Sequence, residues 1–415
     1  MSWWPDQGLQ RAVGCTIGAI GVCAALPTGY LTLVTIAGLP RPRPASTGRT
    51  DLRYVILVPA HDEAEGIAAA LESMAALDYP ADRFRVHVVA DNCADETLEV
   101  AIRCGAEGHE RIAPDDPGKG PALNWLLDRL VERGDDFDAV VIVDADTIVE
   151  ASFLRRMSAA IANGATAAQG RYSVREVEAS PAVSFRWAAL ACRHHLRPLG
   201  RTRLGASCGL YGNGMVFVRS LIVGRRWSGH LVEDAEFQME LLLDGHDVVY
   251  VPDAVVSAEM PTSLDQATSQ NERWERGRLE LVQRYVPRLV RLVPRSPGRR
   301  IQLADAAADH LVPPISTLVV IHLTVAGVAA VGASQLPGAR VASRTNLLAT
   351  MAVLLHVAAG LYSVRAPRRH VVALLRAPRI IGWKAKLWIS VLRSGDDVTW
   401  TRTQRNRPSI AEASS

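Results

Sequence analysis

Six carboxylates stand where this chain changes direction: Asp91 and Asp95, Asp144 and Asp146, and the adjacent Glu233 and Asp234, with Lys119 between the first two pairs in sequence order. The dinucleotide fingerprint Gly-x-Gly-x-x-Gly is absent after the first apolar strand pattern, and residues 118–121 (Gly-Lys-Gly-Pro) lack the spacing and the Ser/Thr of a P-loop. Hydride transfer and P-loop chemistry therefore drop out. A site this acidic repels a bare diphosphate unless a divalent cation stands between them. Carboxylate and phosphate oxygens are both hard ligands that share Mg²⁺ or Mn²⁺. The pattern implies a metal-bound nucleotide diphosphate.

The elements that must hold these groups are legible as short β-rich runs alternating with helical patterns over residues 50–260, the form of an α/β domain with a largely parallel sheet. Residues 54–59, 85–90 and 139–143 are the clearest strands. Each ends in a polar cluster: Ala-His-Asp-Glu at 60–63, Asp-Asn-Cys-Ala-Asp at 91–95 and Asp-Ala-Asp-Thr at 144–147. In open α/β sheets the ligand crevice lies beyond the carboxyl ends of the strands, so the three clusters should meet.

Six motifs appear in order: Val-Pro-Ala-His-Asp-Glu at 58–63, Ala-Asp-Asn-Cys-Ala-Asp-Glu-Thr at 90–97, Lys-Gly-Pro-Ala-Leu-Asn at 119–124, Asp-Ala-Asp at 144–146, Val-Glu-Asp at 232–234 and Gln-Asn-Glu-Arg-Trp at 270–274. Together they resemble the signature of the family 2 inverting glycosyltransferases over roughly residues 55–280. The flanking apolar spans make the chain similar to the membrane-embedded branch that includes cellulose and hyaluronan synthases. The resemblance implies a GT-A-like nucleotide-diphospho-sugar transferase domain.

It also implies roles. Asp91 would contact the base of a uridine nucleotide, with Ala60 and Glu63 as the neighbouring wall. Asp146 would bind the metal, Asp144 the ribose or the metal's surroundings, and Lys119 would lie near the phosphates. Asp95 reads better as a turn residue and cap for the helix that follows. An inverting transfer needs a base aimed at the acceptor hydroxyl. Asp234, beside Glu233 at the start of the helical run 235–243, fits, and the positive end of that helix should keep it ionised. Serving as a plain helix cap is compatible with that role. Gln270, Arg273 and Trp274 share one helical face, Arg273 suited to the leaving diphosphate and Trp274 to an acceptor sugar. Residues 205–218, rich in glycine and containing Asn213 and Gly214, resemble the family's acceptor loop; a bulged strand pair is the alternative.

Segregated apolar residues point to a membrane. Of the residues, 48% are hydrophobic, yet Lys+Arg total 46 and Asp+Glu 43. Uncharged runs cover residues 12–39, 311–339 and 346–364, each near or above the ~20 residues that cross a bilayer. The first is too long for a cleaved leader's apolar core. Arg41, Arg43, Arg49 and Arg53 follow the first run, Arg295, Arg299 and Arg300 precede the second, and Arg365, Arg368 and Arg369 follow the third. Positive charge marks the cytosolic side, so the chain reads as a multi-pass protein of the cell (inner) membrane with its catalytic domain in the cytosol. His322 and His356 lie within the runs and read as neutral groups bonded to neighbouring helices.

The organisation is thus an N-terminal span (1–40), a catalytic domain (50–280), a basic amphipathic helix on the membrane surface (281–300), a transmembrane hairpin (311–364) and a basic tail (365–415). The tail holds a second surface helix at 370–393 and a lid at 398–405. Six scattered cysteines without Cys-x-x-Cys spacing exclude a structural zinc or disulfide framework and suit a reducing compartment. A net charge of +3 gives no footprint for nucleic acid. The partners to expect are a nucleotide sugar, a lipid-linked or polysaccharide acceptor and the membrane. Three spans leave little room for a polysaccharide channel, so a glycolipid synthase making single transfers stands beside the polymerase reading. A non-catalytic nucleotide-sugar-binding partner is the third.

Overall fold

The computed structural model describes residues 7–39, 51–175, 181–230, 232–258 and 264–374; the side chains of residues 181–182, 264–273 and 373 are outside that description. Arg41, Arg43 and Arg49, most of the expected helix at 370–393, and the expected lid at 398–405 lie outside the described residues.

The central strand sets the architecture. Its seven residues, β1 (Tyr54–Ala60), are almost all apolar and buried on both faces, as a strand with parallel neighbours on either side requires. The other strands are β2 (Phe84–Asp91), β3 (Glu107–Arg111), β4 (Ala139–Ile142), β5 (Thr147–Val149), β6 (Ala167–Val174), β7 (Met215–Val218) and β8 (Val248–Ala258). They form one sheet in the order β3-β2-β1-β4-β7-β6-β8-β5, parallel through its first four members and mixed thereafter.

Helices α2 (Ile67–Ala75), α3 (Thr97–Arg103) and α4 (Lys119–Glu132) make the crossovers, followed by α5 (Phe153–Ala162). Ile56, Val58, Val88 and Val141 face Ile67, Leu71 and Met74 of α2 and Phe153 and Met157 of α5. Val55, Leu57, Val89 and Ile142 face Leu123, Leu126 and Leu130 of α4. Alternate residues of each strand thus feed two cores. All the parallel strands point their carboxyl ends at one edge, where the expected clusters lie.

After β6 the chain runs through α6 (Pro181–Leu190), a π-helical turn (Ala191–Leu196), α7 (Arg197–Arg203) and, beyond β7, α8 (Arg219–Ile222). Then come α9 (Glu233–Leu243) and, after β8, α10 (Leu264–Leu292), α11 (Arg300–Leu311), α12 (Ile315–Gly332), α13 (Pro337–Ser363) and α14 (Arg368–Ala373).

Three helices are long and apolar enough to cross a membrane: α1 (Gln7–Gly38), α12 and α13. Their boundaries differ from the uncharged runs for a local reason. Pro313 and Pro314 hold back the start of α12, and Pro337 opens α13 in its first turn, where its missing N–H costs nothing. Arg340 and Arg344, which separate the second and third uncharged runs in sequence, therefore lie inside α13. Small residues bring the helices together: a side chain on Gly338 would collide with the Gly14 backbone. A polar ladder crosses the bundle: Thr28 Oγ1 lies 2.7 Å from His322 Nε2, and His322 Nδ1 2.8 Å from Asn346 Oδ1, while Asn346 donates to the Gly21 carbonyl at 3.0 Å. His356 Nδ1 is likewise 2.6 Å from Thr35 Oγ1. Both histidines bond neighbouring helices.

The separate surface helix at 281–300 is corrected. Residues 264–292 form one continuous helix, α10. Its apolar residues Leu281, Tyr285, Val286 and Leu289 are buried against Met239 and Leu242 of α9 and Leu303, Ala306 and Ala307 of α11. An apolar stripe consumed by protein is not free to lie in lipid, whereas Arg288 and Arg291 remain exposed. Bundle and domain are joined by buried charge: Arg201 Nε donates to Asp305 at 2.7 Å, Tyr30 of α1 donates to the same carboxylate at 2.8 Å, and Arg197 pairs with Asp309.

Candidate active site

At the carboxyl edge, β1 and β2 are each followed within two residues by one with left-handed backbone, Asp62 (φ 53°) and Asn92 (φ 51°). Such geometry persists only where side chains over-determine it. The Asp62 carboxylate accepts the Ala94 N–H at 2.7 Å, and the Asn92 amide exchanges hydrogen bonds with the Ala113 backbone at 2.7 and 3.2 Å. Asp95 accepts the N–H groups of Ala64 and Thr97 at 3.1 and 3.0 Å, stitching the two strand ends together just before α3. Ala60 is buried at the end of β1, and the Glu63 N–H donates to Thr97 Oγ1 at 2.7 Å.

Asp91 differs from expectation. It is only 5% exposed, and its carboxylate accepts Arg111 Nη1 at 2.5 Å and the Gly118 N–H at 3.2 Å. Both oxygens are engaged within the protein. Arg111 faces Asp91 across the β2–β3 ladder. The strand that carries it, Glu-Gly-His-Glu-Arg, is too polar to be read as a strand, which is why this partner was not legible.

Lys119 opens α4 and reaches the loop after β4. Its ammonium pairs with Asp144 and donates to the Gly212 carbonyl at 2.6 Å. Gly212 has φ +77°, and a Cβ there would stand 3.2 Å from Asp234 Oδ2 and 3.6 Å from Lys119 Nζ. One glycine thus touches the Asp-Ala-Asp loop's counter-ion on one side and the carboxylate opening α9 on the other. Glu233, Asp234, Lys119 and Asp144 form a single electrostatic cluster. Burial by itself would lower the Lys119 ammonium, but Asp144, Glu233 and Asp234 hold it above its ordinary value. Burial pushes Glu233 up to about 7, with the neighbouring Asp234 charge adding to it and Lys119 opposing it. Burial also raises Asp234, against the Ala235 N–H it accepts at 2.8 Å and the Lys119 and Arg193 charges. Desolvation outweighs the N–H at the helix start, so Asp234 binds its proton more tightly than an ordinary aspartate.

Asn213 and Gly214, expected at the acceptor, stand behind the site. Asn213 is fully buried. Its Oδ1 accepts the Asp144 N–H at 3.3 Å, and its Nδ2 donates to Thr147 Oγ1 at 2.6 Å, which in turn donates to Asp146 at 3.3 Å. Its amide therefore orients both aspartates of the loop. Gly214 is locked into the sheet, donating to the Ile142 carbonyl at 2.9 Å and accepting the Gly170 N–H at 2.9 Å.

A divalent cation fits this loop. Asp146 is part-exposed and offers hard oxygens, while Asp144 is shared with Lys119. Among the described residues, the three-ligand clusters are elsewhere, at His87, Glu107 and His109 and at Asp62, Cys93 and Asp95. The remaining ligands at Asp146 would come from phosphate and water.

Trp274 of α10 is 41% exposed, with the guanidinium carbon of Arg186 5.2 Å from its ring centre. Gln270 and Arg273 occupy the same helix, their side chains outside the described residues. A hollow lined by Arg193, Arg197, Tyr211, Ala235 and His310 opens beside α9, next to the Arg201 and Asp309 side chains that contact α1 and α11.

The family described as "Glycosyltransferase like family 2" matches residues 52–277, the span that carries every strand and all four acidic clusters. The chain belongs to this family. It is 25% identical over 246 residues to a probable glycosyltransferase, YdaM, of Bacillus subtilis, covering 57% of this chain and 58% of that one. It is 28% identical over 234 residues to the beta-monoglucosyldiacylglycerol synthase of Synechocystis, covering 54% and 47%. The matched stretch spans about half the length of these curated relatives. A solved mannosyltransferase from Pyrobaculum calidifontis, in complex with GDP-Man and Mn²⁺, shares the fold with a TM-score of 0.54 at 20% identity, covering 86% of this chain and 99% of that one. This family 2 glycosyltransferase therefore has the GT-A-like α/β fold that its motifs imply. Arg111, Arg186 and Arg193 are the charged groups that sequence reasoning missed; single arginines outside a motif carry no spacing signal.

Proposed function

We propose that the protein is a membrane-bound, metal-dependent, inverting glycosyltransferase that moves a sugar from a nucleotide diphosphate donor to a lipid-linked or polysaccharide acceptor. The observation that carries this reading is the convergence of Lys119, Asp144, Glu233 and Asp234 around Gly212. The Asp-Ala-Asp loop suits Mg²⁺ or Mn²⁺, which when bound neutralises the diphosphate and helps it leave. Lys119 and Asn213 hold that loop in place. Asp234 takes the proton of the acceptor hydroxyl as its oxygen bonds to the anomeric carbon and the bond to the diphosphate breaks on the opposite face. A carboxylate whose affinity for protons is raised by burial is a better base for that step. Arg273 and Trp274 serve the leaving diphosphate and the acceptor, with Gln270 beside them.

The hollow beside Asp234 borders α7 and α11, which bind α1 through Arg201, Asp305 and Tyr30. Its position at the foot of the spans favours a lipid-anchored acceptor and a single transfer over a polymer extruded through three helices. The membrane-embedded synthases remain the branch whose Gln-x-x-Arg-Trp motif this chain shares. A uridine donor follows from that resemblance, and the GDP-Man of the mannosyltransferase makes guanine nucleotides the comparison.

The test is release of nucleoside diphosphate from a panel of UDP- and GDP-sugars by the full chain in detergent with Mn²⁺, with membrane lipid extract as acceptor. One donor should be turned over with formation of a lipid-soluble sugar product. Donor binding with neither transfer nor hydrolysis across the panel would replace the enzyme with a nucleotide-sugar-binding protein.

A further inference from the structure

Arg186 lies in α6, outside every motif, and is 9% exposed. Among the described residues, neither Nη1 nor Nη2 has a hydrogen-bond partner, although both are buried. Its guanidinium packs over the Trp274 ring at 5.2 Å. Buried arginines are found paired with carboxylate or phosphate, because a desolvated cation without hydrogen bonds is strongly unfavourable, and an aromatic face returns only part of that loss. The surroundings say what is missing. Tyr172 of β6 feels the charges of Asp146 and Asp144 on one side and of Arg186 on the other, and so stands between the Asp-Ala-Asp loop and the guanidinium. Burial also lowers the Arg186 cation from its ordinary value, with Tyr172 the one group opposing that. Five acceptor-seeking N–H groups in a planar fork match two phosphoryl oxygens better than any single carbonyl.

We propose that Arg186 is a binding residue for the donor's diphosphate, its two terminal nitrogens receiving phosphoryl oxygens beside the Asp144–Asp146 loop while Trp274 holds its plane. The inference rests on the nucleotide-donor reading above. Burying an unpaired cation costs stability, and a bound diphosphate would offset that cost.

The experiment uses the full chain in detergent with Mn²⁺ and the variants Arg186→Met and Arg186→Lys, with UDP, GDP, uridine and guanosine as probes. Binding is read by competition and by melting temperature. For whichever diphosphate the native protein binds, Arg186→Met should weaken affinity at least tenfold while changing affinity for the matching nucleoside less than twofold. Its melting temperature without ligand should equal or exceed the native value, and Arg186→Lys should recover part of the affinity. Equal diphosphate affinity in Arg186→Met, or equal losses for diphosphate and nucleoside, would overturn the inference and leave the proposed function standing. A native protein that binds neither diphosphate would overturn both.

Discussion

Lys119 spans the crevice, pairing with Asp144 while donating to the Gly212 carbonyl at 2.6 Å. A residue from the first turn of α4 thereby fixes a loop after β4 and a loop before β7. It is also the one charge that lowers both Glu233 and Asp234 among the groups named around them. Lys119→Met should therefore shift the acidic limb of the pH–rate profile upward by about one pH unit, since an opposite charge has been withdrawn. An unmoved limb would separate Lys119 from the carboxylate pair.

Asp234→Asn preserves shape and removes proton affinity. Transfer should fall by about 10²–10⁴-fold, the range for a general base, with diphosphate affinity within twofold of native. Near-native turnover would remove Asp234 from that role.

The carboxylate pair also makes stability depend on pH. Glu233 rises from 4.5 to about 7 on folding, so between those values the folded chain binds the proton that the unfolded chain has lost. Stability is then greatest below about 4.5 for this group and declines as pH rises through 7, by about 2 kcal/mol once solvent screening is allowed for. Glu233→Gln should flatten that slope in denaturant titrations at pH 5, 6, 7 and 8.

Asn213→Ala tests the correction at the acceptor loop. It strands the Asp144 N–H and the Thr147 hydroxyl in a buried place, costing about 1–3 kcal/mol for an unsatisfied group. The Mn²⁺ concentration for half-maximal rate should rise while KM for the acceptor stays. The reverse pattern would return Asn213 to the acceptor.

Gly212→Ala places a methyl 3.2 Å from Asp234 Oδ2 on a backbone with φ +77°. The fold should survive, with a melting temperature a few degrees lower, while the rate drops at least tenfold because the base is displaced.

What the sequence determined is local or periodic. β1, β2 and β4 are legible because a strand buried on both faces must be apolar throughout, and their polar ends because a parallel sheet presents its carboxyl edge to ligand. The three long apolar helices are legible because each is a continuous apolar run long enough to cross a membrane, a signal carried along its own length. What the tertiary structure decided depends on partners far apart in the chain. Asp91 became half of a buried ion pair because β3 brings Arg111 into register. Asn213 became a support because β7 starts directly behind the Asp144 loop. The apolar stripe of α10 went to α9 and α11 instead of lipid, since a stripe records that something covers it and not what. The proton affinities of Glu233 and Asp234 were set last, by desolvation, which no residue carries in its own identity and only the packed chain supplies.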